Sequence, residues 1–176
     1  WSAEIPALYG VTVTLKDPAG KPIETIPLHT GFREVKIEGG QLLVNGQPVL
    51  IKGANRHEMD PDGGYVVSEE RMIEDIRILK ENNFNAVRTC HYPDDARWYA
   101  LCDRYGLYLV AEANLESHGM GYDEKTLAKN PAYAQAHLER NIRNVRRNIN
   151  HPSVIVWSLG NEAGDGPNFS ACYDWV

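Results

Sequence analysis

The sequence predicts an α/β fold in which a β-rich start gives way to four strand–helix repeats. From about residue 49, short apolar runs alternate with helical patterns in unbroken order, which fits half of a (β/α)8 barrel or part of a doubly wound sheet. Neither a GxGxxG nor a GxxxxGK phosphate-binding pattern occurs, which disfavours the nucleotide-binding doubly wound alternative. Polar and ionisable residues follow every expected strand, where a barrel assembles its site. At 176 residues the chain can bury a core but is too short for a whole barrel of about 250 residues.

Taken in order, Val11-Thr12-Val13-Thr14-Leu15 has the β-branched alternation of a strand, and Asp17-Pro18-Ala19-Gly20 turns the chain. Ile23 to Leu28 pairs back as a hairpin. Val35-Lys36-Ile37 and Leu42-Leu43-Val44 follow, the latter closed by the Asn45-Gly46 turn. These strands are too few to close a sandwich, so residues 1–36 read as the tail of a β-domain, with residues 37–176 forming the α/β part.

Val49-Leu50-Ile51 is expected to be the first buried strand of the repeats. Ser68, with Glu69 and Glu70, caps a helix whose Met72, Ile73, Ile76 and Leu79 share a face and which Asn83 ends. Phe84-Asn85-Ala86-Val87 begins the second strand. A helix over about 94–105 carries Trp98, Leu101, Cys102 and Tyr105 at helical spacing, with Gly106 as its stop. Leu107-Tyr108-Leu109-Val110 is the third strand. Asn130-Pro131 opens a long helix expected to turn Leu138, Ile142, Val145 and Ile149 inward, until His151-Pro152 breaks it. Val154 to Leu159 is the fourth strand, read as buried on both faces.

Composition excludes several function classes. Lys and Arg total 18 against 24 Asp and Glu, a net charge of −6, which gives no encouragement to a nucleic-acid or anionic-membrane partner. The cluster Arg140, Arg143, Arg146 and Arg147 falls on a helical repeat and reads as a solvated face. Cys90, Cys102 and Cys172 show no CxxC spacing, so they read as small buried residues. No 18-residue apolar stretch occurs, so no membrane-spanning helix is expected. Most of Trp1, Trp98, Trp157 and Trp175 read as packing groups rather than sugar-stacking platforms.

The chemistry concentrates at the strand ends. Asn161-Glu162 lies just past the fourth strand, and there Glu162 reads as a general acid/base in a partly dry cleft with Asn161 as a hydrogen-bond donor beside it. Glu116-Ser117-His118 follows the third strand. On an extended loop its acid and imidazole point the same way, and with Glu162 they could surround one divalent cation. Two carboxylates and one imidazole suit Mg²⁺ or Mn²⁺ completed by water, with zinc as the alternative. Arg88 and His91 follow the second strand, where the guanidinium either orients a carboxylate or pairs with a Glu that seals the barrel mouth. His57 contacts substrate hydroxyls or is a satisfied loop histidine.

Two long stretches carry a resemblance. Asn85-Ala86-Val87-Arg88-Thr89-Cys90-His91-Tyr92-Pro93, continued by Asp103-Arg104-Tyr105-Gly106-Leu107, resembles the first signature of glycoside hydrolase family 2. Asn148-Ile149-Asn150-His151-Pro152-Ser153-Val154-Ile155-Val156-Trp157-Ser158-Leu159-Gly160-Asn161-Glu162 resembles the second. Asn55-Arg56-His57-Glu58 and Asn114-Leu115-Glu116-Ser117-His118-Gly119-Met120 are most similar to the large lacZ-type β-galactosidases within it. Trp1-Ser2-Ala3-Glu4, Pro6 and Leu8-Tyr9 resemble the end of the immunoglobulin-like sandwich that precedes the barrel in those enzymes.

The resemblance implies the first four βα units of a catalytic TIM barrel after the last strands of that sandwich. It implies a retaining hydrolase of terminal β-galactosides such as lactose, with β-glucuronidase or β-mannosidase as sister activities and a non-catalytic carbohydrate-binding fragment as a rival of another class. It further implies Glu162 as acid/base, Glu116, His118 and Glu162 as Mg²⁺ ligands, and Asn161, His57 and His91 as substrate contacts. Arg88 would steady the nucleophile. That nucleophile, a second Glu, matches no residue here, so the isolated chain is expected to be inactive. A monovalent cation such as Na⁺ would be held by residues outside the chain. The parent is expected to be a homo-oligomer, cytoplasmic, with a periplasmic or secreted location still open. Ala111 stands where the family commonly has Asp, one carboxylate fewer near Glu112.

Overall fold

The computed structural model describes residues 1–176. The first hairpin pairs β1 (Tyr9–Lys16) with β2 (Pro22–Thr30) antiparallel, and the Asp17 carboxylate accepts the Ala19 and Lys21 amides to hold the turn. β3 (Val35–Glu38), β4 (Gln41–Val44) and the two-residue β5 (Gln47–Pro48) form a second antiparallel sheet.

β6 (Gly53–Arg56), β7 (Ala86–Thr89), β8 (Tyr108–Glu112) and β9 (Val154–Ser158) lie side by side in that order, all parallel. Helices α1 (Glu69–Glu81), α2 (Ala96–Tyr105) and α3 (Ala134–Asn148) connect them, and α4 (Pro167–Trp175) follows β9. Sequential parallel strands with one helix between each pair are successive units of a (β/α)8 barrel.

Local chemistry sets the helix limits. The Ser68 hydroxyl accepts the Arg71 amide at the start of α1, and Asp95 does the same for Arg97 at the start of α2. Gly106 ends α2 at φ 79°, and a Cβ there would stand 2.3 Å from the Ala3 carbonyl oxygen, so both conformation and space demand glycine. One core lies between sheet and helices: Met72, Ile76, Trp98, Leu101 and Cys102 pack against Val87, Leu109, Ala111 and Val154. Each such aliphatic side chain contributes about 1.5–3 kcal/mol by leaving water. A second cluster joins Trp1, Ala3 and Val44 to Ala86 and Tyr108, so the N-terminal stretch packs on the N-terminal end of the sheet. The Trp1 indole donates to the Asp103 carbonyl at 2.8 Å, and Trp98 is fully buried, so both are packing groups.

Three expectations are corrected. Val49-Leu50-Ile51 is not a strand, and Leu50 is 75 % exposed. Pairing with β7 begins instead at Gly53, where a Cβ would press within 3.0 Å of the Ala86 carbonyl, while the Asn85 amide bridges Leu50 and Lys52. β9 is only partly buried: Val154 is buried, Ile155, Trp157 and Ser158 are half-buried, and Val156 is 40 % exposed.

The third concerns α3, which begins at Ala134 after a short 3₁₀ turn over Pro131–Tyr133 and buries a face one residue away from the expected one. His137, Asn141, Asn144, Val145 and Asn148 are buried, whereas Ile149 is exposed. Asn144 donates to the Ala111 carbonyl at 3.1 Å, Asn141 to the Leu159 carbonyl just past β9 at 3.3 Å, and Asn148 to Asn144 Oδ1 at 3.0 Å. Hydrogen-bond demand at the strand tops outweighs the apolar pattern.

A buried charge network ties β6 to the helices. The Arg56 guanidinium donates to Asp94 at 2.8 Å and Asp75 at 3.0 Å and lies 4.0 Å from the Trp98 ring centroid. Burial pushes the Asp94 carboxyl up to about 7, against the opposing pull of Arg56. A folded carboxyl that holds its proton above the unfolded value of 3.8 stabilises fully below that value and loses its contribution as pH rises toward 7. Asp94→Asn should remove this slope, so the urea-midpoint gap between native protein and variant narrows from about pH 5 to about pH 8. A gap that is the same at both pH values would refute the assignment.

Candidate active site

Alternation along β7 and β8 separates two faces. Val87, Leu109 and Ala111 turn to the helices, whereas Arg88 and Glu112 meet on the opposite face. Ala111 therefore faces the helix layer, so an Asp at that position would enter the core rather than the cleft.

Glu112, the last residue of β8, is fully buried and is the hub of the site. Arg88 grips it in fork geometry, Nε to Oε2 at 2.7 Å and Nη2 to Oε1 at 3.0 Å. His91 Nδ1 stands 2.8 Å from Oε1, and the Ser158 hydroxyl donates to Oε2 at 2.6 Å. Both roles open to Arg88 in the sequence meet in this contact, since the guanidinium orients a carboxylate through paired hydrogen bonds and forms an Arg–Glu pair with it. Nothing in the sequence around Glu112 marks this central role.

From this hub the network climbs to the rim. Arg88 Nη2 donates to Asn161 Oδ1 at 2.7 Å, and Asn161 Nδ2 donates to Glu116 Oε2 at 2.7 Å. A guanidinium only donates and a carboxylate only accepts, so the Asn161 amide has one orientation and one N–H left over. Its backbone amide donates to Leu115, and a Cβ on Gly160 would collide with Leu115 at 2.8 Å, so glycine lets these two loops touch.

Glu162 follows at φ 40°, a left-handed conformation that costs a non-glycine residue roughly 1–3 kcal/mol and recurs at functional positions. Its Oε2 pairs with His118 Nδ1 and accepts from the Tyr122 hydroxyl at 3.3 Å. Tyr122 also lies 2.6 Å from His118 Nδ1; partial desolvation and then the Glu162 charge push its phenol above the ordinary value. Tyr122 escaped the sequence reading, because a single Tyr in a glycine-rich loop carries no pattern.

His57, His91, Tyr92, Asn114, Glu116, His118, Asn161 and Glu162 line one cleft of about 490 Å³. Every residue singled out from the sequence except Arg88 is on its wall, and Arg88 is bonded to Asn161 behind it. Two details differ. Ser117 (φ −145°, ψ 31°) leads into a 3₁₀ turn over His118–Met120, so Glu116 and His118 reach the cleft by a turn and not by strand alternation. The Glu162 side chain is 53 % exposed, so these walls make an open cleft rather than a partly dry one.

The metal-ligand reading can be weighed on the donor set. Glu116, His118 and Glu162 offer two carboxylates and one imidazole to an open, wettable space, which suits a hard cation that keeps several waters. His118 and Glu162 meet directly, while Glu116 bonds to Asn161 on the same cleft wall, and the three donors do not all come within 4.8 Å of one another.

All four arginines of the cluster on α3 are exposed, and Arg147 also anchors the helix. Arg147 Nη2 donates to the Asp94 carbonyl at 2.7 Å, with the guanidinium 5.0 Å from the Tyr99 ring. All three cysteines are free and buried. No helix is long and apolar enough to cross a membrane.

Ionisable residues gathered at the C-terminal ends of parallel barrel strands define a catalytic (β/α)-barrel architecture. Residues 35–176 match the family model described as glycosyl hydrolases family 2, TIM barrel domain, and residues 1–33 match glycosyl hydrolases family 2. The chain belongs to glycosyl hydrolase family 2, and its parallel sheet is part of that TIM barrel. It is 52% identical over 176 residues to a β-galactosidase of Alteromonas mediterranea, covering 100% of this chain and 17% of that protein. It is 54% identical to a β-galactosidase of Aeromonas hydrophila, with the same coverage of 100% and 17%. Among solved structures, a GH2 β-galacturonidase from Eisenbergiella tayi bound to galacturonate superposes with a TM-score of 0.82 at 33% identity, covering 99% of this chain and 30% of that one. The chain thus spans about 17% of the length of the curated relatives it matches.

Proposed function

We propose that these residues belong to a retaining β-galactosidase in which Glu162 is the general acid/base. The observation that supports this most is Glu162 itself: a carboxyl held in a left-handed backbone on a cleft wall, against His118 and Tyr122 and beside Asn161. In the first step its proton passes to the glycosidic oxygen as the bond to the sugar breaks; in the second it takes a proton from the attacking water. The unused N–H of Asn161 is free for a sugar hydroxyl, and His57 and His91 face the same space. The retaining displacement also needs a nucleophilic carboxyl about 5–5.5 Å from the acid. We assign it to another part of the protein, because Glu116 is engaged by Asn161.

Glu116, His118 and Glu162 would hold Mg²⁺ or Mn²⁺. When bound, the cation supplies positive charge beside Glu162. Three buried free thiols support a reducing compartment such as the cytoplasm.

A uronidase reading is favoured by the likeness to the β-galacturonidase. Against it, none of the eight residues lining the cleft is Lys or Arg, and Arg88 is already bound to Glu112 and Asn161, so these walls offer no cationic side chain to a uronate carboxylate. With the full-length protein and nitrophenyl β-glycosides, kcat/KM for the galactoside should exceed that for the glucuronide, galacturonide and mannoside by about tenfold or more. A uronide or mannoside in first place would overturn the proposal.

A further inference from the structure

His57, Cys90 and His91 each bring a ligand atom within 4.8 Å of the other two. The sheet puts them together: Arg56 and Thr89 are register partners on β6 and β7, so residues 57 and 90–91 leave adjacent strand ends side by side. The histidine rings stand 5.3 Å apart and nearly perpendicular, at 84°, and both line the cleft, whereas Cys90 is buried. His91 Nδ1 lies 2.8 Å from Glu112 Oε1 and 3.4 Å from Arg88 Nη2, which leaves Nε2 as the ring nitrogen open to a ligand. A carboxylate behind an imidazole is the arrangement that orients metal-binding histidines. His57 Nδ1 lies 3.4 Å from the Tyr92 hydroxyl, which leaves its Nε2 free as well.

We propose that His57, Cys90 and His91 form a site for a thiophilic divalent cation such as Zn²⁺ or Cd²⁺, separate from the oxygen-rich Glu116, His118 and Glu162 set. One sulfur and two imidazole nitrogens are the donors that borderline and soft cations select over Mg²⁺. Tetrahedral zinc separates such donors by about 3.5 Å, so the three must close by little more than about 1 Å. Rotation of the exposed His57 ring can supply much of that movement. On binding, the Cys90 S–H bond breaks, its proton leaves to water, and the sulfur electron pair forms the bond to the cation. Water from the cleft that both histidines line would complete the coordination. This site stands on its three donors and does not depend on the glycosidase proposal.

The test is titration of the purified protein with Cd²⁺ in excess Mg²⁺, followed by the ultraviolet thiolate-to-metal charge-transfer absorption. One equivalent should saturate the band. Cys90→Ser should abolish it, and His57→Ala, on an exposed residue that the fold does not need, should weaken binding by about tenfold or more while leaving the band at saturation. His118→Ala should change nothing. A band that survives Cys90→Ser, unchanged affinity in His57→Ala, or a loss of affinity in His118→Ala would each overturn the proposal.

Discussion

Glu112→Ala should lower the unfolding free energy by about 3 kcal/mol, the largest loss expected from a single change in the cleft. The native carboxylate is fully buried and accepts from Arg88, His91 and Ser158, so truncation leaves three groups without their acceptor. Removing one partner of a buried ion pair costs about 3–5 kcal/mol, because the other charge stays behind uncompensated. The lower end applies because the Arg88 side chain is 27 % exposed and water can reach part of it. Glu112→Gln keeps the shape and one acceptor oxygen and should lose less. The measurement is urea unfolding of both variants beside the native protein, read as a shift in midpoint at constant slope. A loss below about 1 kcal/mol in Glu112→Ala would mean that Arg88 finds another acceptor and that Glu112 is not the hub.

Much of the fold was legible because several segments carry a local reason for their structure. The Ser68 cap with Met72 and Ile76, the Gly106 stop, and the apolar runs of β8 and β9 each state their element without help from the tertiary structure. β6 was missed because Gly53-Ala54-Asn55-Arg56 has no apolar alternation; it is a strand because β7 offers it a ladder and Gly53 permits close approach. The α3 face was misplaced for the same kind of reason. Leu138, Ile142, Val145 and Ile149 and the buried His137, Asn141, Asn144 and Asn148 share the steps 4, 3 and 4, and only the carbonyls within reach of Asn141 and Asn144 decide between them. A periodic pattern cannot show which distant carbonyl a side chain will meet.

The site divides in the same way. Arg88, His91, Asn161 and Glu162 could be singled out because each stands at or just past the C-terminal end of a strand, where a barrel collects its chemistry. The central position of Glu112 depends on which face of β8 it ends on, and that is fixed by register with β7 and β9. His118 and Tyr122 meet only because a 3₁₀ turn replaces the extended loop. Residues at strand ends can thus be found by position, whereas their partners depend on register and loop geometry.

Glu162→Gln in the full-length protein should cut kcat by about 10²–10⁴-fold on galactosides whose leaving group is a poor one. The amide has nearly the carboxyl's shape and keeps an oxygen toward Tyr122 and His118, but it has no proton to give the departing oxygen. Nitrophenyl leaving groups need little protonation, so with them the first step should be nearly spared and the second, which needs a base to activate water, should become limiting. Added azide needs no base and should speed turnover in the variant alone, giving the glycosyl azide with retained configuration. The Mg²⁺ response should weaken in the same variant, because an amide oxygen is a poorer ligand for a hard cation than a carboxylate. Equal losses on good and poor leaving groups, with no azide rescue, would place Glu162 outside proton transfer and leave it a binding or positioning residue.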